Sequence, residues 1–224
     1  MSSFVSAAAI FDLDRTVTRN GTYTPFLLHC APASIATAWQ AVRGMVAGAD
    51  YVSGRTTRGD FKARLLDLFI AGSTRTQVQA WANDFAAQRL TSGVRPGALA
   101  AIARHRAEGH HLVLATASFD FYARVFAERL GFDHVISTAS VWDNADRLQP
   151  EIAGENCYGP VKLSAVQAYL SALPGKPRVV AYSDHHSDFG LLNWAHEGFV
   201  VNPSCRLRRL ALTNNLPIID WNKA

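Results

Sequence analysis

Short apolar runs alternate along this chain with longer stretches whose apolar residues recur at helical spacing. The first run, Ala7-Ala8-Ala9-Ile10-Phe11, ends in Asp12-Leu13-Asp14. Residues 112–115, 135–136, 179–182 and 199–201 have the same character. Brief continuous apolar runs bounded by polar residues predict strands buried on both faces. Residues 98–107 follow Pro96-Gly97, residues 121–130 stop at Gly131, and residues 163–170 stop before Pro174-Gly175. Those start and stop signals predict helices. Strands alternating with helices predict an α/β fold, a Rossmann-like parallel sheet with helices on both faces. Ligands of such sheets bind at the carboxyl ends of the strands.

One connection breaks the rhythm. The first strand ends near Asp14, and the next begins only at Leu112. A crossover between parallel strands needs far less chain. Residues 33–46, 58–70 and 76–90 carry helical spacing, as in Phe61, Leu65, Leu68 and Phe69. Residues 18–92 therefore predict a small inserted helical domain, a lid over the carboxyl edge of the sheet. Residues 1–17 and 93–224 form the α/β core. Trp39, Phe61, Phe69, Trp81 and Phe85 are expected in the lid's own core, whereas Tyr23, Phe26 and His29 suggest a weakly polar pocket.

Composition narrows the class. Of 224 residues, 49% are hydrophobic and 18% charged, enough apolar material for a core and too ordered a composition for a disordered chain. The formal charge is +4, and the arginines are scattered except for Arg206, Arg208 and Arg209, which argues against a nucleic-acid partner. Cys30, Cys157 and Cys205 are far apart and form no C-x-x-C, as expected of a cytoplasmic protein. The first ten residues lack the pattern of a signal peptide. Residues 31–52 are charge-poor but interrupted by Pro32, Gln40, Arg43 and glycines. They make a poor membrane span, and read as ordinary helices with a membrane-surface contact as the lesser alternative.

Four constellations could carry chemistry. Asp12 and Asp14, two apart on extended backbone, share one face at the mouth of the sheet. Paired carboxylates repel and are commonly compensated by a divalent cation, although a solvated turn would leave the same trace. A calcium loop would need Gly and Glu where Val17 and Tyr23 stand. Asp184 and Asp188 follow the apolar run at 179–182 and could join them around Mg²⁺, or could simply cap a helix. Thr116-Ala117-Ser118 ends another strand, where a hydroxyl and free N–H groups suit a phosphate oxygen or a helix cap. Lys162 opens a helix after Gly159-Pro160. It is the best placed of four lysines to neutralise the acids or a phosphate, unless it is merely solvated.

The ordered set Asp-x-Asp-x-Thr, strand ending in Thr, Lys, then Asp-x-x-x-Asp resembles the haloacid-dehalogenase-like hydrolase superfamily. The insert after the first motif resembles its C1 cap, and the motif flavour its phosphoserine-phosphatase-like branch. The resemblance covers residues 11 to about 203. It implies a Mg²⁺-dependent phosphomonoester hydrolase working through an aspartyl phosphate. Asp12 would be nucleophile and Asp14 general acid. Thr16, Thr116, Ala117 and Lys162 would bind phosphate, with Thr116 and Lys162 also catalytic. Asp12, Asp14, Asp184 and Asp188 would form the metal site. Phosphoserine phosphatases of this branch carry an acid soon after the first motif to meet the substrate amine; residues 18–26 have none. The implied substrate is thus another small-molecule or lipid phosphate monoester. A phosphotransferase and a silent phosphate-binding module are the alternatives.

Overall fold

The computed structural model describes residues 5–32 and 34–223. Its seven strands are β1 (Ala7–Phe11), β2 (His111–Phe119), β3 (His134–Trp142), β4 (Leu148–Ala153), β5 (Arg178–Ser183), β6 (Glu197–Val201) and β7 (Ile218–Ile219). They lie in the order β4-β3-β2-β1-β5-β6-β7. Every pairing is parallel except β3 with β4, which forms an antiparallel edge. The sequence reading missed β4 because Leu-Gln-Pro-Glu-Ile-Ala is a half-exposed edge strand carrying a proline, not a buried apolar run.

Central β1 is buried at every position, with three alanines that let helices approach both faces. Ile10 points to the cluster of Val166, Leu191 and Leu207, and Phe11 to the opposite one. Phe11 stacks on Tyr182 there, with ring centroids 4.8 Å apart. Helices α5 (Pro96–Ala107), α6 (Asp120–Leu130), α7 (Pro160–Ser171), α8 (Phe189–Trp194) and α9 (Cys205–Thr213) cover the sheet. α6 ends on Gly131 in the left-handed region, φ 72°, as the sequence predicts.

Between β1 and β2 the insert supplies α1 (Tyr23–Cys30), α2 (Ile35–Val52), α3 (Arg58–Phe69) and α4 (Arg75–Ser92). Its first helix, α1, carries no strong sequence pattern. Thr57 and Asp60 close a reciprocal capping box at the start of α3, and Thr74 caps α4. The two connections cross side by side: Thr18 bridges Val94, and Arg95 N–H donates to the Val17 carbonyl at 2.9 Å. Phe26, Leu66 and Phe85 of the insert belong to the same buried apolar cluster as Phe11 of β1 and Phe126 of α6. Burial of this continuous apolar surface, at about 25 cal/mol per Å², holds the insert against the carboxyl edge.

Candidate active site

A cavity of about 460 Å³ opens where the carboxyl ends of β1, β2 and β5 meet the insert. Adjacent strand ends in a parallel sheet point their following loops the same way, which is why segments remote in sequence converge here. Asp12 follows β1, Ala117 and Ser118 are among the last residues of β2, and Asp184 follows β5.

Lys162, in the first turn of α7, joins two of these acids. Its Nζ donates to Asp12 Oδ1 at 2.8 Å and to Asp188 Oδ2 at 2.7 Å, with all three residues buried. Burial alone would lower its pKa, but the carboxylates of Asp12 and Asp188 outweigh that and hold the ammonium well above the ordinary lysine range. Thr16 ties the remaining acid in. Its hydroxyl lies 3.1 Å from Asp12 Oδ2 and 3.2 Å from Asp184 Oδ1, and accepts the Asp184 backbone N–H at 3.0 Å. Ser183, fully buried, donates to Asp188 Oδ2 at 2.8 Å. Burial pushes the Asp12 carboxyl up to about 8; Lys162 opposes this, while Asp188 and Asp184 add to it. Asp184 is raised to about 6 by burial, with Thr16 opposing and Asp188 adding. Three buried carboxylates share one ammonium, so negative charge is left over.

Asp14 stands apart from that crowd, contrary to the acidic setting its spacing suggested. The turn Leu13–Val17 puts Arg15 at φ 63° and swings the Asp14 carboxylate toward the insert. There it accepts from Thr22 N–H and Thr22 hydroxyl, each at 2.6 Å, and from Ser118 hydroxyl at 2.9 Å. Thr116 is fully buried and its hydroxyl accepts the Ser118 N–H at 3.0 Å. At this strand end Ala117 and Ser118, rather than Thr116, line the cavity, and Thr16 likewise sits beneath the wall as a brace. Asp12, Asp14, Lys162, Asp184 and Asp188 all line it.

The insert brings residues that sequence reasoning passed over. Lys62 of α3 is buried, and its Nζ donates to the Ala117 carbonyl at 2.6 Å and to Asn156 Oδ1 at 2.9 Å. It also lies 4.3 Å from the Phe119 ring centroid. Burial, with Arg58 adding to it, lowers its pKa to about 7. Arg58 covers the Tyr158 ring at 4.3 Å, and Tyr51 stacks on Phe61 at 5.4 Å; these four also line the cavity. Of the aromatics first assigned to the pocket only Tyr23 lines it. Phe26 is core, and His29 pairs with Asp84 at 3.2 Å. Conversely Phe61 packs against the apolar core as expected but also lines the cavity, and Trp39 is 67% exposed. His185 lines the cavity, with its pKa lowered to about 4 by burial and then by His186. His110 and His111 are half-buried at the opposite end of β2; His111 Nε2 lies 2.7 Å from the Tyr169 hydroxyl.

This fold and its strand-end acids place the chain in a family. It belongs to the haloacid dehalogenase-like hydrolases, whose family model matches residues 9–193. It is 30% identical to the protein CicA of Caulobacter vibrioides over 84% of this chain and 82% of that protein. With a Mycobacterium tuberculosis protein named "Probable phosphatase Rv3661" it shares 27% identity, over 96% of this chain and 76% of the other. A crystal structure of a Bordetella pertussis protein with unknown function superposes with a TM-score of 0.87, at 24% identity, covering 97% of this chain and 99% of that one. Phosphoserine phosphatases share the fold; a substrate-bound complex has a TM-score of 0.66 at 14% identity, covering 99% and 95%.

Proposed function

We propose that the chain is a Mg²⁺-dependent phosphomonoester hydrolase of this family, acting through an aspartyl phosphate on Asp12. The observation that carries this reading is the Lys162 ammonium bridging Asp12 and Asp188 inside the cavity, with Asp184 tied to Asp12 through Thr16. The Mycobacterium relative named a phosphatase lends independent support.

A phosphate dianion is repelled by a bare carboxylate, so the nucleophile must be neutralised before it can attack. Lys162 does part of this and is placed to receive charge from the phosphoryl oxygens. The donor set also fits Mg²⁺: hard carboxylate oxygens, carrying more negative charge than one ammonium cancels, with Asp12 and Asp184 raised in pKa by burial first and by the neighbouring acids second. Asp12, Asp184 and the Asp14 carbonyl would hold it, with Asp188 as the second acidic partner. When bound it supplies charge neutralisation for the phosphoryl group. Asp14, held by Thr22 and Ser118 in the same cavity as Asp12, would protonate the leaving oxygen and then take a proton from water. The Ala117 and Ser118 backbone and Lys162 would position the phosphate.

The substrate side of the cavity carries Arg58 and Lys62, with Tyr23, Tyr51, Phe61 and Tyr158. Its part between Gly21 and Pro25 has no acid to meet a substrate amine. This favours a small-molecule or lipid phosphate other than phosphoserine. The test is phosphate release with Mg²⁺ over sugar, amino-acid, nucleotide and lipid monoesters, with acceptor alcohols added in parallel. Release abolished by Asp12→Asn supports the reading. Phosphorylated acceptor would make the chain a transferase, and no turnover of any ester would make it a binding module.

A further inference from the structure

The face of α2 that points away from the protein is apolar. Trp39, Val42, Met45, Val46 and Val52 are 67%, 42%, 68%, 55% and 85% exposed, and Ala38 and Ala49 are exposed among them. At about 100° per residue these seven side chains fill roughly 140° of the helix surface with no polar residue between them. The opposite face is where a surface helix normally keeps its large apolar residues. In α2 it holds Gly44, Ala47 and Gly48, which let α3 come close: a Cβ on Gly44 would meet Leu65 at 3.2 Å. Apart from Tyr51 near its end, which stacks on Phe61, the helix is therefore inverted, with bulk outward and small residues inward.

Charge accompanies this face. Residues 18–92 contain eight basic and four acidic residues, whereas the rest of the chain contains fourteen of each, so the whole excess of +4 lies on the insert. Exposed Arg43 and half-buried Asp50 border the apolar arc, Asp50 pairing with Arg55 at 3.4 Å and Arg64 at 3.7 Å, and exposed Arg58 follows the end of the helix.

We infer that α2 is a docking face for an anionic lipid surface. An amphipathic helix lying in the plane of a bilayer buries its apolar side about 5–10 Å into the headgroup boundary, with basic residues at its margin. Trp39 suits that boundary, its ring being apolar with a polar N–H. A second copy of the chain is the poorer occupant, because two inserts of charge +4 repel where acidic phospholipid attracts. The Tyr51 ring at the end of the same helix lines the cavity, so docking would bring the cavity beside the lipid headgroups.

Co-sedimentation with vesicles tests this on the full chain. Vesicles of phosphatidylglycerol and phosphatidylcholine should bind it, and pure phosphatidylcholine should bind it less. Raised salt should weaken the binding to the anionic vesicles. The triple variant Trp39→Ser, Met45→Ser, Val46→Ser should lower that binding by about ten-fold or more. It should keep its thermal midpoint, since the three positions are exposed, and its turnover of a soluble phosphomonoester. Arg43→Glu, which leaves the apolar arc intact, should lower binding to anionic vesicles alone. Absence of wild-type binding to anionic vesicles, or equal binding by the triple variant, overturns the inference. So does a concentration-dependent dimer that the triple variant dissolves, which would assign the face to a second copy. Hydrolysis of the soluble ester on the same samples reports the catalytic reading separately.

Discussion

Lys162 and Asp12, 150 positions apart in sequence, meet through one buried hydrogen bond of 2.8 Å. The bond couples the start of α7 to the end of β1, and through Asp188 to the loop after β5. Removing the ammonium would leave two carboxylates buried beside each other without a cation.

Lys162→Met is therefore expected to cost stability as well as catalysis. Breaking a buried ion pair from one side typically costs about 3–5 kcal/mol. Denaturant unfolding should show a loss of that order, and phosphate release should fall at least about a hundred-fold. An unchanged midpoint would mean that the pair is not buried as described.

Thr16→Val tests the hydroxyl that braces the site from beneath. The variant keeps the volume but strands the Asp184 backbone N–H, which now donates to Thr16 Oγ1 at 3.0 Å. A buried donor left without a partner costs about 1–3 kcal/mol. Turnover should fall more than the affinity for substrate changes, since Thr16 lies under the wall and not in it. A pure rise in KM would instead place Thr16 against the substrate.

Lys62 gives the protein a pH-dependent stability whose sign can be worked out. Its folded pKa, about 7, lies below the ordinary 10.5 because burial disfavours the ammonium. The unfolded chain thus binds the extra proton first as pH falls. Lys62 contributes stability at high pH that is lost between about 10.5 and 7, with a slope of at most about 1.4 kcal/mol per pH unit. Unfolding of wild type and Lys62→Met at pH 7, 8.5 and 10 checks this: the variant should lack the slope. Parallel curves would show Lys62 to be solvated.

Much of the arrangement was legible in the chain. The apolar runs located β1, β2, β5 and β6, the long gap between the first two located the insert, and Asp12, Asp14, Lys162, Asp184 and Asp188 all line one cavity. Lys62 was not legible. A lysine on an amphipathic helix reads as solvated, and its hydrogen-bond partners lie 55, 76 and 94 residues away. Thr22 was missed likewise, because nothing local marks a threonine that will hold a carboxylate eight residues back. In α2 the period was right and the face wrong: periodicity locates an apolar arc without saying whether it turns inward, and Gly44 and Gly48 were the only hint. The strand was expected to end at Thr116, but β2 runs on to Phe119 with its register to β3 shifted after Ala115; the Thr116 hydroxyl is buried and Ser118 meets Asp14 instead.

The central claim is that the phosphoryl group passes to Asp12, and trapping it there is the most direct test. Enzyme turning over a phosphomonoester with Mg²⁺ would be quenched in acid, reduced with borohydride and digested, because reduction converts an aspartyl phosphate to homoserine. Peptide mass spectrometry should then place homoserine at position 12. Phosphorylation mapped to another residue, or steady turnover with position 12 always recovered as unmodified aspartate, would contradict the account.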